Sequence, residues 1–405
     1  MLDKDGKLLF LTRGVRLFAY GFLSIVLVLY LEELGLSDLE VGALLALTLI
    51  GDTAISLYIT TKADRTGRRI MLVIGAILML FAGVVFVLTD NFAVLLVAAI
   101  IGVISPSGNE VGPFLSIEQS SLSQIVASKD RTRVFAYYNL LGSIATGLGA
   151  ISGGWIAQIA RSSGSSTLDS YRSVVLGYAL FGIVLLLLFL QLSTKIEVPK
   201  AKVSRMRDRF GLHRSRKVVT KLSLLFSMDA FGGGFIVQSV MAYWFFLRFG
   251  TEPAMLGTIF FAANILAGFS ALSAVWIAKR IGLIRTMVYT HLPSNVLLIL
   301  IPLMPSFELA LTLLLLRFSI SQMDVPTRQS YVIAVVDEDE RSAASGITGV
   351  ARTFGQSGAL MLTGFLLKDD AMLAYSFFIA GLVKITYDLL LYRSFRSIRP
   401  EEELS

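Results

Sequence analysis

Ala63-Asp64-Arg65-Thr66-Gly67-Arg68-Arg69 returns, without a gap, as Ala278-Lys279-Arg280-Ile281-Gly282-Leu283-Ile284, 215 positions further along the chain. The same offset pairs Gly35 with Gly250 and Gly42 with Gly257. Past the fourth apolar run the offset falls to 210, pairing Gln119-Ser120 with Gln329-Ser330, Arg131 with Arg341 and Gly154 with Gly364. The difference puts about five extra residues in the first half, and Ser105-Pro106-Ser107-Gly108-Asn109 is the place for them. The second half therefore repeats the first in the same direction.

Working outward from that loop, apolar runs bounded by charge, Gly or Pro fall at about 8–31, 41–61, 70–88, 92–126, 133–160 and 172–193. The second half has them at about 221–248, 254–278, 283–303, 307–336, 342–367 and 371–392. A bilayer span needs roughly 20 such residues, so the pattern predicts an all-α polytopic membrane protein of twelve transmembrane helices in two six-helix bundles. Its 405 residues are 55% hydrophobic and 16% charged, with a mean hydropathy of +0.73, which excludes a soluble globule. The expected domains are 1–194 and 221–405, joined by a basic linker at 195–220 whose Val203, Met206 and Phe210 have the spacing of a short interfacial helix. The first run carries Arg13 and Arg16 and continues to Tyr30, too long and too charged for a cleaved leader.

The loops between odd and even runs hold few cations (Arg161, Arg172, Arg248 and Lys368), whereas the other loops and both tails are rich in Lys and Arg. By the positive-inside rule both termini are cytoplasmic, in a cell membrane. The net charge of +7 is read as a surface facing anionic lipid, with no nucleic-acid partner. The chain has no cysteine and only His213 and His291, so disulfides, thiolate chemistry and Cys/His metal sites are excluded and no cofactor is expected. It also lacks a G-x-x-x-x-G-K-[ST] loop for nucleotide drive. An intramembrane enzyme would need clustered Asp or a catalytic His-Asp pair, and neither is present, so no enzymatic activity is expected.

Thr61-Lys62-Ala63-Asp64-Arg65-Thr66-Gly67-Arg68-Arg69 resembles the signature loop of the major facilitator superfamily, G-x-L-A-D-R-x-G-R-R/K, with Thr60 and Lys62 replacing its first Gly and its Leu. Gly149-Ala150-Ile151-Ser152-Gly153-Gly154 is similar to the G-P-x-x-G-G element of that family's proton-coupled exporters, with Ala150 at the proline position. The resemblance implies a monomeric secondary transporter working by alternating access on a small-molecule substrate. Proton-coupled efflux is the expected mode, and uptake or exchange of an organic anion is the alternative. It also implies a gate at Asp64, Arg65, Gly67, Arg68, Arg69, Arg131 and Arg133, and a packing face at Gly149, Gly153 and Gly154.

Charges inside apolar runs are costly and mark function by default. Arg16 and Asp52 lie at matching depths and are expected to pair with each other, or else to meet substrate. Asp229 has no basic residue near it in sequence, and Glu110 lies on a run interrupted by Pro106, Gly108 and Gly112-Pro113, so these two are the expected proton-coupling carboxylates. Arg317 and Arg352 fall near the middle of their runs and fit a carboxylate or phosphate on the cargo, or pairing with Glu110 or Asp324. Asp324 with Arg328 and Lys384 with Asp388 have the four-residue spacing of helical ion pairs. His291 reads as a helix contact.

Overall fold

The computed structural model describes residues 3–110, 112–126, 131–197, 214–336 and 340–396, without the side chains of 61, 64, 65, 131–133, 136, 333 and 341–343. Among the described residues there is no strand. The first half is built from α1 (Lys4–Ser24), α2 (Leu27–Glu33), α3 (Asp38–Thr66), α4 (Arg68–Leu88), α5 (Phe92–Ile101), α6 (Phe114–Ile125), α7 (Arg131–Ser162) and α8 (Thr167–Phe189). The second follows as α9 (Arg216–Gly234), α10 (Gln238–Phe249), α11 (Pro253–Ile281), α12 (Leu283–Leu300), α13 (Phe307–Ser321), α14 (Asp324–Ala334), α15 (Arg341–Thr363) and α16 (Asp370–Phe395).

Nine stretches of described helix are long and apolar enough to cross a bilayer, and the bent pair α1–α2 makes a tenth. The other two of the twelve runs are polar or broken. The run expected over 92–126 stops at Ile101 and resumes at Phe114, and α15 is long enough but is rich in Ser, Thr and Gly and carries Arg352. The linker residues 198–213, including the expected interfacial helix, lie outside the described residues.

Local chemistry sets the ends. Ser37 and Glu40 form a reciprocal capping box that starts α3, and Asn91, Ser166, Ser306 and Asp369 cap the starts of α5, α8, α13 and α16. The repeated glycines turn corners in matched places. Gly35 and Gly250 have φ of +80° and +62°, and Gly67 and Gly282 have +120° and +88°, a region that L side chains avoid. The offset found in the sequence is thus a repeat of backbone conformation.

The chain divides into two compact units, Met1–Met206 with Val237–Phe261, and Arg207–Ile236 with Ala262–Ser405. Inside the first, α1 packs along α7 with almost no side-chain layer between them. A Cβ on Gly149 or Gly153 would overlap the carbonyl of Phe18 or Phe22, and one on Gly21 would overlap that of Thr146. Gly154 meets α11 in the same way at the Pro253 carbonyl. In the second unit α9 lies equally close on α15, where a Cβ on Gly355 would overlap the Ser227 carbonyl and one on Gly234 that of Gln356. Close backbone approach through small residues is how helices associate where lipid removes the hydrophobic drive.

Candidate functional site: two buried charge networks

Each unit holds a network of buried charges inside its own helices. In the first, α1 presents Thr12, Arg13 and Arg16 on one face. Arg16 is fully buried and makes a two-pronged contact with Glu118 of α6, both Nη atoms donating to carboxylate oxygens at 2.8 Å. Its Nε donates to Glu110 at 2.8 Å. Glu110 also accepts from Arg13 at 2.7 Å, so one carboxylate clasps two guanidiniums. Glu118 further accepts from Thr12 at 2.7 Å and from the Tyr138 hydroxyl. Arg13 continues to the Tyr138 carbonyl at 2.8 Å and lies over that ring. Such planar, multiply bonded arginine–carboxylate contacts are the strong class of charge-assisted bond.

Glu110 reaches the arginines because its backbone is not helical. Gly108 and Gly112 take φ of +68° and +82° in the segment between α5 and α6, as the five extra residues lead one to expect. The segment is tied by Ser105 to the Asn109 carbonyl at 2.7 Å and by the Ser239 amide to the Pro106 carbonyl at 3.3 Å. Gln238 donates to the Ser24 hydroxyl at 2.8 Å.

The expected pairing of Arg16 with Asp52 does not occur. All three of the guanidinium's nitrogens are held by Glu110 and Glu118, while Asp52 is buried with Oδ1 lacking any hydrogen-bond partner among the described residues. Matching depth put the two residues at one level but gave no information about which helix faces which.

In the second unit α9 carries Asp229, and the expectation that it lacks a partner is overturned. Oδ1 takes Lys384 of α16 at 2.6 Å, and Oδ2 takes Arg352 of α15 at 3.0 Å and Arg328 of α14 at 3.2 Å. Its partners come from three other helices, out of reach of any argument from sequence neighbours. Gly232 makes room for the lysine stem, since a Cβ there would lie 2.9 Å from Lys384 Cγ. Arg328 also meets Asp324 at 2.7 Å, the helical pair expected from spacing. Lys384 and Asp388 are not such a pair. Lys384 turns to Asp229, and Asp388 accepts from Asn295 at 2.9 Å and faces His291 Nδ1 at 2.9 Å. His291 is thus bonded to an acid, with its Nε2 3.8 Å from Asp229. Among the described residues of its unit Arg352 pairs with Asp229 and not with Asp324, and a third of its side chain is exposed. Arg317 is buried and has no acid within 4.0 Å among the described residues, its guanidinium lying near the Phe318 ring.

Of the gate residues, Arg68 donates to Gln124 and to the Ile196 carbonyl, both at 3.0 Å. Glu197 receives the first two amides of α4, those of Arg68 and Arg69, at 2.7 and 3.1 Å. A carboxylate at a helix N-terminus is favoured by the helix dipole, and Gly67 leaves it space. The side chains of Asp64, Arg65, Arg131 and Arg133 lie outside the described residues.

The sequence model of the Major Facilitator Superfamily matches residues 9–360. The chain belongs to the major facilitator superfamily. This superfamily member is 32% identical to an uncharacterised membrane protein of Saccharomyces cerevisiae, YJR124C, over 96% of its own length and 93% of the relative's. It is 28% identical to the quinolone resistance protein NorA of Staphylococcus aureus over 141 residues, 35% of each chain. Among solved structures the D-xylose-proton symporter superposes with a TM-score of 0.74 at 16% identity, covering 96% of this chain and 97% of that one. The protein is an integral multi-pass membrane transporter of the twelve-helix fold and not an enzyme.

Proposed function

We propose that this transporter moves a small organic solute outward against a proton gradient by alternating access. The observation that carries the reading is Glu110, a partly exposed carboxylate on broken backbone that clasps Arg13 and Arg16 together. A proton on that group would loosen two guanidiniums at once, so the protonation state of one carboxyl is linked to the packing of α1. Asp229 is the weaker of the two coupling candidates, because three cations hold it from three helices. The stretch similar to the quinolone resistance protein supports the outward direction. Arg16, Asp52, Arg317 and Arg352 remain the proposed cavity residues, and the loop Asp64–Arg69 with Arg131 and Arg133 the proposed gate. The positive-inside pattern supports cytoplasmic termini in a cell membrane, and the chain is read as acting as a monomer.

A second reading, exchange or uptake of an organic anion, is favoured by Arg317, since a buried guanidinium without an acid suits an anionic cargo. Purified protein in liposomes with an imposed pH gradient separates the two. Gradient-driven accumulation of norfloxacin supports proton-coupled efflux, and accumulation of p-aminohippurate instead supports the anion reading. Transport of either that ignores the gradient removes proton coupling.

A further inference from the structure

Among the described residues, every deep carboxylate of the first unit except one has a cationic partner. Glu118 has Arg16, and Glu110 has Arg13 and Arg16. Asp52, on α3, has none among the described residues, though it is only 9% exposed. It cannot escape by a shift of its helix. A Cβ on the preceding Gly51 would overlap the Ile100 carbonyl, so α3 is pressed backbone to backbone against the end of α5. That contact fixes Asp52 beside the irregular segment that begins at Gly102, where the Gly112 amide faces it and Ser56 lies one turn along its own helix.

The titratable groups facing Asp52 are Glu110 from the irregular segment, Tyr20 from α1 and Tyr178 from α8, the last donating its hydroxyl to the Val103 carbonyl. None is a cation. The helices packed on α3 add no free positive charge. α5 is apolar throughout, α4 is charged only at Arg68 and Arg69 in its first turn, α2 only at Glu32 and Glu33 in its last, and Glu118 of α6 is held by Arg16. An ionised carboxylate buried without a counter-charge is among the most costly groups a membrane interior can hold, and taking up a proton is the usual relief. Non-helical backbone at that depth has to line protein or water, and the partial exposure of Glu110 on the same segment shows that the break is open to some degree.

We infer that Asp52 is a second proton-binding carboxyl of the first unit, one that acts on the Glu110 clasp and, unlike Glu110 with its two cations, has no counter-charge among the described residues. The inference rests on the proton-coupled reading and adds a carrier to it. The step is one O–H bond formed on a carboxylate oxygen as a proton arrives along the broken segment, and the same bond broken when it leaves. Neutral Asp52 leaves the Arg13–Arg16–Glu110–Glu118 network intact. Ionised Asp52 adds a second negative charge next to Glu110 and repels it, which is how loading and network geometry become linked.

The test is infrared difference spectroscopy of the full chain in liposomes, titrated from acid to alkaline, following the carbonyl stretch of protonated carboxylic acids. The expected result is loss of one carboxyl's share of that band in Asp52→Asn and its retention in Glu110→Gln and Asp229→Asn. Asp52→Glu should keep the band at a displaced frequency, which serves if the asparagine variant folds poorly. A band that titrates as in wild type in Asp52→Asn, or one unmoved in Asp52→Glu, overturns the assignment. Norfloxacin accumulation by wild-type protein that ignores a pH gradient, with the Asp52 band present, would instead defeat the coupling reading and leave the site standing.

Discussion

Removing Arg16 tests the geometry of the first unit directly. Its side chain is fully buried and spends three nitrogens on two carboxylates at 2.8 Å. Arg16→Met leaves Glu118 with only the Thr12 and Tyr138 hydroxyls, and Glu118→Met leaves Arg16 with Glu110 alone. Stranding one member of a buried pair costs about 3–5 kcal/mol, whereas replacing both by apolar groups of similar volume is close to neutral. The double variant should therefore be no less stable than either single one, which makes the coupling energy at least as large as one single loss, about 3–5 kcal/mol. Arg16→Met with Asp52→Ala should be additive to within about 0.5 kcal/mol, because the two side chains do not touch. Unfolding from mixed micelles, followed by the fluorescence of Trp155, Trp244 and Trp276, gives the free energies. Additive losses for Arg16 with Glu118, or a large coupling of Arg16 with Asp52, would refute the described network and restore the pairing expected from depth.

In the second unit, Asp229→Asn should cost stability by leaving Lys384, Arg328 and Arg352 crowded without their shared acid. Adding Lys384→Met should recover part of the loss in the same unfolding measurement. Gly149→Leu should abolish folded yield, judged by size-exclusion chromatography, since its side chain would drive into the Phe18 backbone. Gly346→Ala on α15 has open space around it and should raise the melting temperature through a helix-propensity gain of about 0.5–1 kcal/mol. Glu197→Ala removes the acceptor for the first amides of α4 and should cost about 0.5–2 kcal/mol, with faster amide exchange confined to Arg68 and Arg69.

How far the sequence was legible depends on the range of the interaction. Spans, their repeat and the break at Glu110 are written in runs and punctuation along the chain, and all three are present in the structure. The Asp324–Arg328 pair is equally local, one turn of one helix. Partners drawn from different helices were not legible. Asp229 looked isolated because its three cations lie 99, 123 and 155 positions away. Arg16 and Asp52 shared a depth without sharing a face. Lys384 and Asp388 have helical spacing, yet each finds a better-placed group on a neighbouring helix. A signal for Glu118 did exist. At the 210 offset Glu118 falls on Arg328, so one repeat position bears opposite charges in the two halves.

That inversion explains why both halves can bury charge with the same architecture. In the first, a cation on span one (Arg16) meets an acid on span four (Glu118). In the second, an acid on span seven (Asp229) meets a cation on span ten (Arg328). Arg16 and Asp229 sit on helices that glycine brings close to a neighbour, α1 to α7 and α9 to α15, so a change in the charge of either side chain is felt along a pair with little side-chain padding to absorb it. Counting deep groups among the described residues, the first unit sets Glu110, Glu118 and Asp52 against Arg13 and Arg16. The second sets Arg317, Arg328, Arg352 and Lys384 against Asp229, Asp324 and Asp388. The residue in excess is Asp52 in one and Arg317 in the other, and each is the member of its unit without an ionic partner. Paired charges at this depth hold helices together. Unpaired ones need something from outside the protein, and a proton for the acid and an anionic group for the arginine are the two simplest things a transporter of this fold can take up.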